Sequence, residues 1–336
     1  MTHEFKRIVA AFQLANQKGI PTVLATVVAL DGSSYRKPGV RMLLLATGKM
    51  VGAVSGGCVE KEILQQSKSV FDTSIPKVMT YDGRYRLGCE GILYILIEPF
   101  SLSSLFIETF TKTINGRWSF KISSSYTKEA ISTIGLGSKV QFQNISLPVS
   151  LKHAIHSELK VFEERMPPCF RLLIMGAEHD AVLLCSFASL MGWEVELIVP
   201  PLEDKSALDF PGVTDFQICA PEMYQAKALD KQTAVVIMNH SFSKDLLYLL
   251  ALKDTQPAYI GILGPASRRE KLLDALWERI PELSASFLDL IHGPAGLNIG
   301  SITPQEIVIS IIAEILAVVR HESPMFLKDK TKGNHS

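Results

Sequence analysis

A cysteine, two arginines and two runs of small residues lie close together in the first part of this 336-residue sequence. A Gly-Ser-Ser run at residues 32–34 precedes Arg36 and Arg41, and a Ser-Gly-Gly run at residues 55–57 leads directly into Cys58. Glycine and serine loops present backbone N–H groups to anions, and arginine binds phosphate through paired hydrogen bonds. A cysteine in the first turn of a helix gains thiolate character from the helix dipole. The group therefore suits a ligand that carries a phosphate and a centre that reacts with sulfur.

A predicted β-hairpin and a predicted helix position these groups. Residues 40–46 and 50–55 have the composition of two strands joined by a Thr-Gly-Lys turn. Val59, Ile63 and Val70 then recur at helical spacing, so a helix begins next to the second loop. Cys58 is either a thiol that handles sulfur or contacts a bound metal centre, or a buried structural thiol. The predicted anion-binding mouth consists of Ser33, Ser34, Arg36, Arg41, Ser55, Gly56 and Gly57.

Charge and hydropathy exclude several classes of protein. Lysine plus arginine and aspartate plus glutamate number 34 each, so no net field attracts nucleic acid or a membrane surface. The longest apolar run, residues 307–319, contains Glu314 and is too short to span a bilayer. The N-terminus lacks the continuous apolar segment of a secretory signal, so we expect a cytoplasmic protein.

The cysteines are odd in number and show no C-x-x-C spacing. This pattern argues against a disulfide framework, a zinc site and an iron–sulfur cluster, and we predict no resident metal site. The five cysteines are Cys58, Cys89, Cys169, Cys185 and Cys219.

The first hundred residues predict an α+β domain. An amphipathic helix ends at Gly19, a buried strand covers residues 22–30, and further strands cover residues 77–81 and 92–98. The turn between the last two strands carries Cys89, which we expect to line the same cavity as Cys58. The next segment, residues 101–168, predicts a hairpin or a short strand pair and then a linker that ends at Met166-Pro167-Pro168.

From Arg171 onward, predicted strands alternate with predicted helices. A strand over residues 171–175 and a helix over residues 181–191 precede a second strand over residues 194–199. Three more strands follow, over residues 215–219, 234–239 and 258–263. Such alternation predicts a doubly wound parallel sheet of the Rossmann type over residues 169–320, followed by a polar tail over residues 321–336.

The turn after the first of these strands carries an incomplete dinucleotide-binding motif. A G-x-G-x-x-G pattern belongs there, but residues 176–181 read G-A-E-H-D-A. Only Gly176 remains of the three glycines, and a glutamate stands where a pyrophosphate needs bare backbone. Binding of NAD(P) is therefore disfavoured.

Polar loops follow the strands of this predicted sheet, and ligands of open α/β sheets bind at the C-terminal ends of the strands. Ser267 and Glu270 match a capping box that opens one helix, and Thr303 with Glu306 matches another, on a helix that ends at Arg320. Solvated side chains are the alternative role for the paired arginines. The residues expected at the ligand mouth are Gly176, His179, Asp180, His240, Gly264, Arg268, Arg269, His292 and Gly293.

Several ordered motifs resemble the XdhC/CoxI family. Residues 32–42 read G-S-S-x-R-x-x-G-x-x-M, and residues 55–60 read S-G-G-C-x-E. Residues 292–300 read H-G-P-x-G-L-x-I-G and precede T-P-x-E-I, while His240 lies in M-x-H-x-F. Cys89 matches a Gly-Cys-Gly-Gly-like turn of the family, whereas Glu90 departs from it. The resemblance covers nearly the whole chain, with a gap over residues 101–164, and implies an XdhC-type domain before residue 100.

The resemblance implies an accessory protein that serves the maturation of molybdenum hydroxylases. Family members bind molybdenum cofactor (molybdopterin) as cargo, assist the installation of its terminal sulfido ligand, and deliver it. The implied partners are an apo-molybdenum hydroxylase of the xanthine dehydrogenase type and a cysteine desulfurase, and we also expect a homo-oligomer. A xanthine dehydrogenase itself would need iron–sulfur cysteines and a longer chain.

Two other functions stay open at this point. The Rossmann-like half could serve an NAD(P)- or flavin-dependent oxidoreductase. The chain could also be a scaffold without catalytic activity that only docks partner proteins.

Overall fold

The computed structural model describes residues 2–32, 37–55, 57–83, 91–150, 159–201, 204–227 and 229–330. The chain forms two compact units, Met1–Pro168 and Cys169–Ser336. Among the described helices, none has the length and apolar character needed to cross a membrane.

The first unit is built on an antiparallel sheet whose described strands run in the order β3-β2-β1-β5-β4. Strand β1 is buried over most of its length because its β-branched and apolar side chains face helices and a second sheet. The predicted hairpin is confirmed, with Leu43 of β2 opposite Val51 of β3. The elements are α1 (Thr2–Gln17), β1 (Thr22–Asp31), β2 (Arg41–Leu45), β3 (Met50–Gly52), α2 (Cys58–Thr73), β4 (Lys77–Asp82) and β5 (Ile92–Pro99).

A helix and a second sheet complete the first unit. The sequence predicted only a hairpin and a linker after residue 101, and the helix was missed because its exposed positions are polar. Its inward face carries Phe106 and Phe110, which pack with Phe5 of α1 and with Phe120 and Phe142. The second sheet has the order β8-β7-β6-β9. These elements are α3 (Ser104–Asn115), β6 (Phe120–Tyr126), β7 (Gly137–Gln141), β8 (Ser146–Pro148) and β9 (Lys160–Met166).

The second unit confirms the predicted doubly wound parallel sheet. Its central strands β10 and β13 are buried at every position, as continuous apolar runs require when helices cover both faces of a sheet. The elements are β10 (Arg171–Met175), α4 (His179–Leu190), β11 (Glu194–Val199), β12 (Val213–Ile218), β13 (Thr233–Ile237), α5 (Phe242–Leu252), β14 (Tyr259–Ile262), α6 (Ala266–Arg279), α7 (Ala285–Leu288), β15 (Ile291–His292) and α8 (Pro304–Arg320).

The strand order of this sheet is β12-β11-β10-β13-β14-β15, and every pairing is parallel. The chain winds outward from β10 to β12 and then returns to place β13 on the other side of β10. The C-terminal ends of β10 and β13 therefore form the topological switch point, where doubly wound sheets bind ligands.

Helix capping agrees with the sequence at one helix and differs at another. Thr303 caps α8, and Glu306 returns a hydrogen bond to the Thr303 N–H at 2.9 Å, as predicted. The predicted capping box of Ser267 and Glu270 is wrong, because α6 begins at Ala266 with Pro265 as its N-cap. Proline fixes φ near the helical value without needing a hydrogen-bond partner, so the helix begins earlier than the serine suggested.

Candidate functional site

The loop before α2 is closed by that helix's own Glu60. The buried Glu60 carboxylate accepts hydrogen bonds from the N–H groups of Val54 (3.0 Å) and Gly57 (2.7 Å) and from the N–H and hydroxyl of Ser55. Burial raises the pKa of Glu60, but these hydrogen bonds outweigh it and the pKa lies below its ordinary value. This corrects the prediction for Ser55 and Gly57, because an internal carboxylate holds the donors that were assigned to a phosphate.

Arg41 is part of the interior of the first unit. Its side chain is 4% exposed, and Nη1 donates hydrogen bonds to Glu164 Oε2 at 2.6 Å and to the Gly39 carbonyl at 2.9 Å. The guanidinium also lies 5.9 Å from the ring centroid of Phe5. This corrects the predicted phosphate contact of Arg41, since a buried guanidinium paired with a carboxylate cannot reach an external anion.

The other predicted residues of this region lie outside the described residues. They are Ser33, Ser34, Arg36, Gly56 and Cys89, together with the side chain of Cys58. The backbone shows that α2 begins at Cys58, with Gly57 as its N-cap at a φ of 123°. The thiol thus belongs to the first helical turn as predicted, and its role in sulfur chemistry stays a prediction.

In the second unit, β10 and β13 meet closely at the switch point. Gly176 has a φ of 139°, and a Cβ there would lie 2.5 Å from the carbonyl oxygen of Met238. Glycine is therefore required by the approach of the two strands. The side-chain amide of Asn239 donates to the carbonyl of Met175 at 3.0 Å, and its buried Oδ1 has no hydrogen-bond partner within the described residues. The next residue, His240, is exposed and has a φ of 52°.

A buried ion pair lies beside this point. The carboxylate of Asp245, on α5, is 1% exposed and accepts a 2.7 Å hydrogen bond from Nη2 of Arg268, on α6. Asn239 donates to the same carboxylate at 3.2 Å. The stem of Arg268 packs over Gly264, where an added Cβ would lie 2.7 Å from its Cδ. The charge that the sequence assigned to a ligand is therefore neutralised inside the fold.

Arg269 is placed differently from its neighbour. Its stem packs over Gly293, where an added Cβ would lie 3.0 to 3.1 Å from three of its carbons. Within the described residues it forms no ion pair, and its side chain is partly exposed. The Arg269 guanidinium is thus the available positive charge at the ends of β14 and β15.

Glu314 organises the loop that contains His292. The Glu314 carboxylate accepts hydrogen bonds from the Tyr259 hydroxyl at 2.6 Å and from the Gly296 N–H at 2.7 Å, and its Oε1 lies 3.2 Å from Nδ1 of His292. The His292 ring stacks on Tyr259 with centroids 4.6 Å apart. Burial raises the pKa of Glu314, but the hydrogen bonds from His292, Tyr259 and Gly296 bring it below its ordinary value. An ionised Glu314 fixes a hydrogen on Nδ1 of His292 and leaves Nε2 for a ligand.

The structure therefore places the predicted residues of the second unit along one edge of the sheet. They follow four adjacent strands, β10, β13, β14 and β15. Within the described residues, no group of three or more histidine, cysteine or acidic side chains is arranged to hold a metal ion. The residues on this edge are Gly176, His179, Asp180, His240, Gly264, Arg268, Arg269, His292 and Gly293.

Comparisons with known proteins decide the family. Residues 15–82 match the model described as the XdhC and CoxI family, and residues 172–315 match the XdhC Rossmann domain. A Bacillus subtilis (strain 168) protein, named as one of the probable subunits of xanthine dehydrogenase, is 30% identical over 317 residues, which are 88% of this chain and 92% of the relative. The chain belongs to the XdhC/CoxI family.

Two further relatives of this XdhC/CoxI protein span nearly its whole length. An Escherichia coli (strain K12) protein named molybdenum cofactor insertion chaperone PaoD is 23% identical over 333 residues, 96% of this chain and 91% of the relative. The crystal structure of a xanthine dehydrogenase from Bacillus halodurans superposes with a TM-score of 0.77 at 24% identity, covering 94% of this chain and 96% of that one. The structural likeness supports the fold.

Sequence reasoning missed the acidic residues that organise the site of this XdhC/CoxI chain. Asp245 and Glu314 both lie in helices that are otherwise strongly apolar. An acid within an apolar helical face needs a partner, because burying an unpaired charge is costly. That signal was present at Glu314, which interrupts the longest apolar run of the sequence.

Proposed function

We propose that the chain is an accessory protein that binds molybdenum cofactor, assists its sulfuration and inserts it into an apo-hydroxylase of the xanthine dehydrogenase type. Two relatives that span nine-tenths of their length with this chain support it. One is named a molybdenum cofactor insertion chaperone, and the other is named as one of the probable subunits of xanthine dehydrogenase. We place this activity in the cytoplasm, where the chain meets its partner hydroxylase.

The proposal rests on the polar edge formed by β14 and β15. Arg269 offers a guanidinium without an acidic partner within the described residues, and His292 is oriented by Glu314 beside it. Molybdenum cofactor carries a phosphate, which arginine binds through charge-assisted hydrogen bonds. Neighbouring strands lie about 4.8 Å apart, so a ligand of about 10 Å reaches from His292 to His240 across β14.

Equilibrium binding of molybdenum cofactor, followed by pterin fluorescence, tests this site. Arg269→Ala removes the free guanidinium and should weaken binding by about 1.5–3 kcal/mol, roughly ten- to a hundred-fold. Arg279→Ala is the matched control, because it removes an exposed arginine from the last turn of the same helix. Equal affinity of the Arg269→Ala and Arg279→Ala proteins would contradict the site.

Sulfur handling is proposed for Cys58, with a cysteine desulfurase as the sulfur donor. Its place at the first residue of α2 favours the thiolate that attacks or carries sulfur. Cys58→Ser should still bind the cofactor and yet fail to activate the partner hydroxylase. Cys219→Ser is the control, and full activation by Cys58→Ser would leave that thiol a packing residue. Ser33, Ser34, Arg36, Gly56 and Cys89 stay predicted contributors to this end of the ligand.

An NAD(P)- or flavin-dependent oxidoreductase is a second candidate, favoured by the strand order of the second unit. That order is the one in which dinucleotides bind at the switch point. Against it, Glu178 is the N-cap of α4 and Asp180 lies in its first turn, where a pyrophosphate would be repelled. A fluorescence titration with NADH and NADPH separates the two functions, and saturable binding would favour the oxidoreductase.

A further inference from the structure

The outward face of α8 carries an apolar stripe. The inward face is formed by Val308, Ile311, Ile312 and Ile315, which are buried in the core of the second unit. On the opposite side, Ile302 is 88% exposed and Ile309 is 48% exposed. Ile299, in the loop that leads into the helix, is 54% exposed. An exposed protein surface rarely gathers large aliphatic side chains in this way unless another surface covers them.

A second exposed apolar group follows the other end of the same helix. Met325, Phe326 and Leu327 are 58%, 75% and 65% exposed, and they come shortly after α8 ends at Arg320. The two groups cannot cover one another within one chain. A helix of 17 residues is about 25 Å long, and the stripe begins at its N-terminal end whereas the tail leaves its C-terminal end.

An antiparallel arrangement of two copies of α8 brings the two groups together. Ala313 lies midway between Glu306 and Arg320, and also midway between Ile309 and Ala317. At about 100° per residue, these side chains all point within about 40° of Ala313. A two-fold axis at Ala313 therefore sets each Ile309 against the partner copy's Ala317, and the small alanines let the helices approach closely.

The charges at the two ends are complementary in this arrangement. Each Glu306 faces an Arg320 of the other copy, with opposite charges at both ends of the contact. Glu306 uses Oε2 for its hydrogen bonds to the N–H groups of Ile302 and Thr303, at 2.7 and 2.9 Å, so Oε1 can accept from arginine. Ile302 and Ile299 then lie beside Met325 and Leu327 of the other copy.

We infer that α8 and the segment Met325–Leu327 form a two-fold interface with a second copy of this chain. The occupant is a second copy because one helix face supplies both halves of the apolar contact and both signs of charge. This inference does not depend on the cofactor proposal, since none of its residues belongs to the proposed ligand site.

Sedimentation velocity of the full chain over a concentration series tests the interface. The protein should sediment as a species of twice its 37.1 kDa mass. Ile302→Arg and Phe326→Ser should each raise the dissociation constant at least ~10-fold, as loss of a central contact does. Leu208→Arg is the matched control, because Leu208 is 95% exposed on another part of the second unit. A monomer at all concentrations would overturn the inference, and so would a dimer that both variants leave intact.

Cysteine cross-linking tests the antiparallel register. Ile309→Cys with Ala317→Cys in one chain should give a dimer linked by disulfides under mild oxidation, because each cysteine meets its counterpart on the other copy. Ile309→Cys alone should stay at the background of the unsubstituted protein. Cross-linking of the single variant, or none with the double variant, would contradict the antiparallel contact. Assembly that appears only with the partner hydroxylase would assign the face to that protein and overturn the proposal.

Discussion

Glu98 and Arg41 form a polar cluster in the interior of the first unit. Glu98, on β5, is 1% exposed and accepts hydrogen bonds from the N–H and the hydroxyl of Ser138, on β7, at 2.8 and 2.5 Å. Burial raises its pKa to about 7, although the bonds from Ser138 and the nearby Arg41 lower it. The Nε and Nη2 atoms of Arg41 are buried without a partner within the described residues. The two sheets of this unit are therefore joined through charged groups as well as through the phenylalanine core.

The stability of the first unit should fall as the pH rises because of Glu98. Its pKa is raised on folding, so its favourable effect is complete below about pH 4.5 and lost as the pH rises through about 7. A shift of this size corresponds to about 3 kcal/mol. Glu98→Gln keeps one hydrogen bond to each Ser138 group and removes the ionisation, so its unfolding free energy should gain on the wild type between pH 5 and pH 8. Urea unfolding measures this, with exposed Glu129→Gln as the control. An identical pH profile for Glu98→Gln and the wild type would refute the assignment.

At the scale of elements, Asp245 joins three of them at the ligand edge. It lies in the first turn of α5, pairs with Arg268 of α6, and accepts from Asn239 at the end of β13. Because the carboxylate is almost fully buried, its ion pair is weakly screened by solvent. The loops after β13 and β14 thus hold their positions through side chains that never contact a ligand.

Breaking this pair should destabilise the second unit strongly. Asp245→Ala leaves Arg268 partly buried without its partner and should lower the free energy of unfolding by about 3 kcal/mol. Arg268→Ala strands the buried carboxylate and should cost a similar amount, while the double variant should cost less than the sum of the two. Exposed Asp274→Ala, on the same helix as Arg268, should change stability by less than about 0.5 kcal/mol. Additive effects in this double-mutant cycle, measured by denaturant unfolding, would contradict the coupling.

At the scale of the molecule, each described hydrophobic cluster belongs to one unit. One cluster of the first unit contains Phe106, and one of the second contains Leu249, both fully buried. Each unit has the size of an ordinary domain and has its own core. Separate cores predict separate unfolding transitions.

Calorimetry of the full chain should therefore show two transitions. Phe106→Ala should lower the midpoint of one transition and Leu249→Ala that of the other, because each opens a cavity that costs about 3–5 kcal/mol in its own core. The two variants control for each other. One cooperative transition that both variants shift equally would show that the units unfold together.

The sequence alone determined the elements and their order. The alternation of apolar runs with helical spacing predicted the parallel sheet, and Thr303 with Glu306 predicted the start of α8. The glycines before Cys58 predicted the start of α2. Each of these signals acts between residues that are neighbours along the chain, where propensity and hydrogen bonding are decided locally. For the same reason, the helix Ser104–Asn115 was missed, since its apolar positions are few and become clear only when Phe5 packs on them.

Only the tertiary structure decided which charges are free. Arg41 and Arg268 were predicted to bind a phosphate, but Glu164 lies 123 positions from Arg41 and Asp245 lies 23 from Arg268. Glu314 reaches Tyr259 across 55 positions and His292 across 22. Whether a charged side chain meets an opposite charge depends on how sheets and helices pack, and no local pattern encodes that. Folding therefore neutralises Arg268 and leaves Arg269 available, although the two residues are adjacent in the sequence.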